Sequence, residues 1–204
     1  MEHLEVPEGV RVAASADHHF GHRRMPELSR RPYPLLDAMN RDFIRRHNAV
    51  VGPNDWFFAL GDMCMGDFDA SLACAAELNG QKFIVPGDHE RISSIMARKK
   101  SAAYIDRFRR RYEEAGFTVL PEEGITIDIG GVRFAMSHWP YTGDHTEHDR
   151  HVELRPADEG LPLLHGHVHN EWRIRGRMFN VGVDVNNFTP VTEEQILEFA
   201  KGIS

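Results

Sequence analysis

Aspartates and histidines recur in this chain where a polypeptide could aim several of them at one point. Asp17-His18-His19, Gly61-Asp62, Gly87-Asp88-His89-Glu90, Ser137-His138 and Gly166-His167-Val168-His169 each follow a short apolar run. Eight of the 13 histidines lie in or beside these segments: His18, His19, His22, His89, His138, His165, His167 and His169. Carboxylate and imidazole are ligands of divalent transition metals, so such clustering is a metal signal. Asp17 with His19, and His167 with His169, stand two residues apart, and in extended backbone such pairs project to one side. The glycines before Asp62, Asp88 and His167 are expected to let the chain turn sharply as it leaves each strand. Together Asp17, His19, Asp62, Asp88, His138, His167 and His169 offer too many donors for one tetrahedral ion and suit two ions with one carboxylate shared. Mixed Asp/His ligation favours Mn, Fe, Zn or Ni over Ca or Mg. Two metals about 3.5–4 Å apart are a recurring device for displacement at phosphorus.

These side chains need elements to position them. Apolar runs predict strands at 10–14, 56–60 and 82–85, alternating with helices at 35–51 and 68–78, the second closed by Asn79-Gly80. That alternation implies parallel strands covered by helices, with the polar clusters at the carboxyl edge where α/β sheets bind ligands. Residues 92–115 read as one strongly basic helix carrying Arg98, Lys99, Lys100, Arg107, Arg109, Arg110 and Arg111. Short strands follow at 118–120, 125–129 and 132–136, the last two joined by the hairpin signal Gly130-Gly131. Further strands are expected at 161–164 and 178–185, then a helix at 192–201 capped by Thr192 with Gln195 three residues on. The polar loop 142–158 shows no pattern, so His145, His148 and His151 are expected on solvated surface. No linker or repeat divides residues 1–204, which read as one domain.

At 41% hydrophobic and 27% charged residues, the chain can bury a core, which excludes disorder throughout. No apolar run approaches the roughly 18 residues that span a bilayer. Residues 1–10 hold three Glu and no apolar stretch of the secretory kind. Cys64 and Cys74 cannot build a disulfide framework. A cytoplasmic location without membrane partners is expected. The net charge of −7 argues against general coating of nucleic acid, though it leaves room for a local basic patch.

In order and composition the five blocks resemble the calcineurin-like metallophosphoesterase superfamily, whose pattern is D-x-H, G-D, G-N-H-[DE], a lone H and G-H-x-H. The match spans about residues 17–169. The runs Asp17-His18-His19-Phe20-Gly21-His22 and Asn180-Val181-Gly182-Val183-Asp184 look like a compact bacterial and phage branch. The resemblance implies a four-layer α/β/β/α sandwich with mixed sheets and two divalent transition-metal ions, manganese foremost. One ion would be held by Asp17, His19, Asp62 and His169, the other by Asp62, Asp88, His138 and His167, with Asp62 bridging. It further implies a hydroxide between the ions that attacks phosphorus in line, with His89 at the leaving oxygen as general acid or positive partner.

A site without a large cap suits phosphodiesters, nucleotide-like ones included. The alternatives are a nuclease using 98–111 as its track, a phosphomonoesterase, or a non-catalytic binding module. His22, Asp88 and His138 are the candidate substrate contacts, and His22 fits loop packing equally well. His165 reads as structural and Cys64 as a small buried residue. Asp88 stands where the family has Asn, and the added charge is expected to weaken the Lewis acidity of the metal and raise the pH optimum. Asp88→Asn should then move the pH–rate profile downward. An unchanged profile, rate and metal content would refute this.

Overall fold

The computed structural model describes residues 1–98 and 100–203, so Lys99 of the basic stretch lies outside the described residues. In chain order the elements are β1 (Glu2–Glu5), β2 (Val12–Ser15), α1 (Met25–Leu28), α2 (Leu36–Val50), β3 (Trp56–Ala59), α3 (Phe68–Ala76) and β4 (Gln81–Ile84). Then come α4 (Ser94–Ala97), α5 (Ala102–Glu114), β5 (Phe117–Val119), β6 (Ile125–Ile129), β7 (Val132–Met136) and β8 (Leu163–His165). The chain finishes with β9 (Ile174–Arg175), β10 (Met178–Asn180), β11 (Val191–Thr192) and α6 (Glu193–Gly202).

This is a mixed α/β fold with two sheets. One has the order β11-β2-β3-β4-β5, parallel except for β11. The other has the order β1-β6-β7-β8-β10-β9 and mixes both senses. Side chains alternate across a strand, and here both faces of the first sheet are apolar. Val12, Ala14, Phe58 and Leu60 meet Ile125, Ile127, Phe134, Leu164 and Phe179 between the sheets. Ala13, Phe57, Ala59 and Ile84 face outward onto Phe43, Leu72, Phe108 and Tyr112 of the helices. Burial on two sides explains why residues 56–60 are a continuous apolar run rather than an alternating one. Ile196 and Phe199 of α6 enter the inter-sheet core, and the Thr192/Gln195 capping box starts that helix. On the outer face of the second sheet, Ala135, Leu163 and Met178 are covered by Tyr141, Leu161 and Trp172 from loops.

Two expected elements differ, and some strands were not expected. The single helix over 92–115 is two, because Ser93 and Ser101 each accept a hydrogen bond from a backbone N–H three residues on and so start separate helices. The strand over 178–185 stops at Asn180, whose side chain accepts from Gly182 N at 2.8 Å and leads the chain into a 3-10 turn. β1, β9 and β11 were not expected, being short sheet-edge strands without periodicity. Among the described residues no helix is long and apolar enough to cross a membrane.

Two buried histidines of the scaffold make stability depend on pH. His47 donates Nε2–H to Asn79 O at 2.9 Å and packs edge-on against Phe57. Burial pulls its pKa down to about 4, and burial likewise pulls His165 down to about 3. Both are depressed below the unfolded value of 6.5. As pH falls below that value, the unfolded chain binds protons that the folded chain refuses, and stability present above it is lost. His47 alone should account for about 2 kcal/mol between pH 7 and 5. Urea unfolding at the two pH values should show a smaller drop for His47→Gln than for the parent. Equal drops would contradict the assignment.

Candidate functional site

The carboxyl ends of β2, β3, β4, β7 and β8 converge, and the loops that leave them carry the polar blocks. Asp17 N bonds Gly61 O at 3.0 Å and His19 N bonds Asp62 O at 2.9 Å, so the first loop runs alongside the second. The extended geometry expected for these pairs is not what is found. Asp17, His19, Asp62, His167 and His169 all adopt left-handed backbone, with φ of 59°, 52°, 54°, 71° and 46°. Asp and His tolerate this region better than most residues, yet it costs on the order of 1–3 kcal/mol per residue, and such strain concentrates at functional sites. The glycines also act differently from expectation. Gly61 does turn at positive φ, but Gly87 and Gly166 are needed for closeness. A Cβ on Gly87 would strike the Asp62 carboxylate, and one on Gly166 would strike Ala16 and Asp17.

Donor atoms of Asp17, His19 and His169 lie within 4.8 Å of one another, as do those of Asp88, His138 and His167. Asp62 joins both neighbourhoods, grouping with Asp17 and His138 and also with Asp88 and His89. Hydrogen bonds at the backs of two rings choose the tautomer. His138 donates Nδ1–H to Leu60 O at 2.9 Å, which turns Nε2 toward Asp88 Oδ1 at 3.1 Å. His169 donates Nδ1–H to Asp184 Oδ2 at 3.1 Å, leaving Nε2 as its lone-pair atom. Both ring nitrogens of buried His19 lack any hydrogen-bond partner among the described residues. Asp62 Oδ1 accepts from His89 N at 3.0 Å, whereas Oδ2 faces three imidazoles without a hydrogen bond among the described residues, His19 at 3.6 Å and His89 and His138 at 3.9 Å. Buried carboxylates and orphaned imidazole nitrogens call for compensation, and this donor set fits divalent ions.

The electrostatics follow from burial among these groups. Burial pushes the Asp17 carboxyl up. Burial opposes charge on His138 as well, but the Asp62, Asp88 and Asp17 carboxylates outweigh it and hold the ring at about 10. Asp88 resists the upward push of burial because His138 is hydrogen-bonded to it at 3.1 Å and the His167 ring lies 3.6 Å away, and it lies well below the usual range. Burial, then the neighbouring His169, keeps His19 far below its ordinary value. Above these residues opens a cleft of about 430 Å³ lined by His19, His22, Asp88, His89, His145, Arg150 and His169 among others. His138 lies beneath it, fully buried.

A supporting tier was not anticipated. Glu90 accepts from Met63 N at 2.6 Å, Gly87 N at 2.7 Å and Asp62 N at 2.8 Å, tying two loops together. Burial, then the Asp62 charge, raises its pKa to about 7 against the pull of those donors. Buried Arg31 bonds Asp17 O at 2.7 Å, His18 O at 2.9 Å and both carboxylate oxygens of Asp184 at 2.7 and 3.0 Å. It therefore braces the first loop and, through Asp184, the His169 ring. Asp144 does for His167 what Asp184 does for His169, with Oδ2 at 3.1 Å from Nε2. His145 is exposed, as expected, but it is not a free surface side chain: it donates Nδ1–H to His167 O at 3.0 Å and lines the cleft. His148 is exposed, and His151 packs on Trp139. His165 and Cys64 are buried. Only the polar composition of 142–158 pointed toward that loop, and composition cannot separate an ordered hub from a solvated one.

No protein-family model matches the chain. It is 31% identical to the Gene 66 protein of Mycobacterium phage L5 over 180 residues, 83% of this chain and 84% of the phage protein. The chain belongs to the mycobacteriophage Gene 66 protein family. The Gene 66 protein of phage D29 is likewise 31% identical, over 93% of this chain and 97% of its own length. A protein of unknown function from Aquifex aeolicus, AQ665, shares the fold with a TM-score of 0.69 at 21% identity, covering 93% of this Gene 66 family chain and 99% of its own.

Proposed function

We propose that this chain is a metallophosphoesterase of the calcineurin-like type that hydrolyses phosphodiesters with two divalent transition-metal ions, manganese foremost. The observation that carries the reading is the pair of buried donor sets meeting at Asp62 beneath an open cleft with His89 at its wall. Asp17, His19, Asp62 and His169 would hold one ion, and Asp62, Asp88, His138 and His167 the other. When bound, the ions neutralise charge on the phosphoryl group and acidify water beside phosphorus. His89, with a side chain 39% exposed, is placed to give a proton or positive charge to the leaving oxygen. The two face-packed sheets, with helices outside one and loops outside the other, fit that superfamily's sandwich with its fourth layer reduced.

Room favours diesters. A second groove of about 580 Å³ shares His22 and Met65 with the cleft, so a substituent on the far side of phosphorus has somewhere to lie. A nucleic-acid track along α5 is not favoured, because none of Arg98, Lys100, Arg107, Arg109, Arg110 and Arg111 lines the cleft or the groove. The test is hydrolysis of bis-p-nitrophenyl phosphate against p-nitrophenyl phosphate by metal-stripped protein reloaded with Mn, Ni, Zn or Mg. Metal-dependent turnover favouring the diester is expected. Turnover of neither, with ions bound, would reject the reading in favour of a binding module.

A further inference from the structure

Asp144, His145 and His167 also bring donor atoms within 4.8 Å of one another and so resemble a third ion site. That place is already taken by a cation. Arg150 Nη2 lies 3.1 Å from Asp144 Oδ1, 3.0 Å from His145 Nε2 and 3.4 Å from His167 Nε2. Because His145 donates Nδ1–H to His167 O, its Nε2 is the lone-pair atom and accepts from the guanidinium.

We infer that Arg150 is a binding group for a phosphoryl oxygen of the substrate, presented at the rim of the cleft by Asp144. The inference rests on the phosphoesterase reading. The Asp144 side chain is itself fully buried and accepts from Arg150 N at 3.1 Å, Arg155 Nη2 at 3.2 Å and Thr146 N at 3.2 Å. Arg155 adds bonds to Gly143 O at 2.8 Å and Arg150 O at 3.1 Å, so the loop that carries Arg150 is braced from within. Asp144 Oδ1 holds Arg150 at Nε and Nη2, and Nη1 has no hydrogen-bond partner among the described residues. The side chain is 37% exposed and lines the cleft beside Asp88, His89 and His169. No other arginine and no lysine lines that cleft among the described residues. A guanidinium fixed along one edge, with donors free on the other, is the arrangement that recognises phosphate oxygens by direction as well as by charge.

The test measures inorganic phosphate binding to manganese-loaded protein by calorimetry, alongside ester hydrolysis and metal content per chain. Arg150→Ala should weaken phosphate binding about tenfold or more, with metal content unchanged and the chain still folded, because Arg155 remains on Asp144. Arg150→Lys should recover part of the affinity. The loss should be larger for dianionic phenyl phosphate than for monoanionic dimethyl phosphate, whereas a loop-bracing role alone would weaken both alike. If Arg150→Ala loses metal or fold, Arg150→Gln, which still reaches Asp144, replaces it. Phosphate affinity within twofold of the parent, equal losses for the two anions, or no phosphate binding by the parent would each overturn the inference. A parent that binds phosphate through Arg150 yet hydrolyses no ester would overturn the esterase reading and leave this site standing.

Discussion

His89→Ala is expected to keep two ions per chain while losing about 10²- to 10⁴-fold in turnover of the diester. The separation of effects follows from the contacts. The bond to Asp62 Oδ1 comes from the His89 backbone N–H and survives the substitution. The imidazole stands at 3.7 Å from Asp88 Oδ2 and 3.9 Å from Asp62 Oδ2 and is 39% exposed, so its removal leaves no buried hole. If His89 supplies a proton, the loss should grow with the basicity of the leaving group, modest for p-nitrophenol esters and large for alkyl ones. A loss independent of leaving group would mean that His89 contributes charge alone. Undiminished turnover would remove it from the chemistry.

The largest effect on folding is expected at Arg31. Its guanidinium is fully buried and pairs with the equally buried Asp184. Arg31→Met strands that carboxylate in the interior, which should cost about 3–5 kcal/mol in a chemical-denaturation experiment on metal-free protein. Because Asp184 orients His169 and Arg31 holds the carbonyl oxygens of Asp17 and His18, metal affinity should fall about 10- to 100-fold as well. The pair Arg31→Met with Asp184→Asn separates the two roles. Removing the stranded charge should restore much of the stability, while metal affinity stays low because the His169 ring has lost its carboxylate. Parent-like stability in Arg31→Met alone would contradict this view of the network.

The elements with strong patterns were legible in the sequence. Residues 56–60 announce a strand buried on both faces, Gly130-Gly131 sets the β6–β7 hairpin at the bounds found, and Thr192 with Gln195 starts α6. The two-residue edge strands β9 and β11 have no room for a period and take their structure from neighbours. Candidate donors were legible because each block is contiguous and follows a strand. Their supports were not, since Arg31 and Asp184 meet across 153 positions. Asp144, His145 and Arg150 sit in a loop whose order comes from two arginines satisfying one carboxylate. The left-handed backbone at five candidate donors was hidden for a different reason: Asp and His, unlike Gly, do not advertise it.

The most direct test of the dinuclear proposal is a titration of metal-free protein with Mn²⁺ that follows bound ions and diester hydrolysis together. Hydrolysis should rise with occupancy and level off at two ions per chain, and Asp62→Asn should abolish that plateau. Full hydrolysis at one ion per chain, or two ions bound with no hydrolysis, would contradict it.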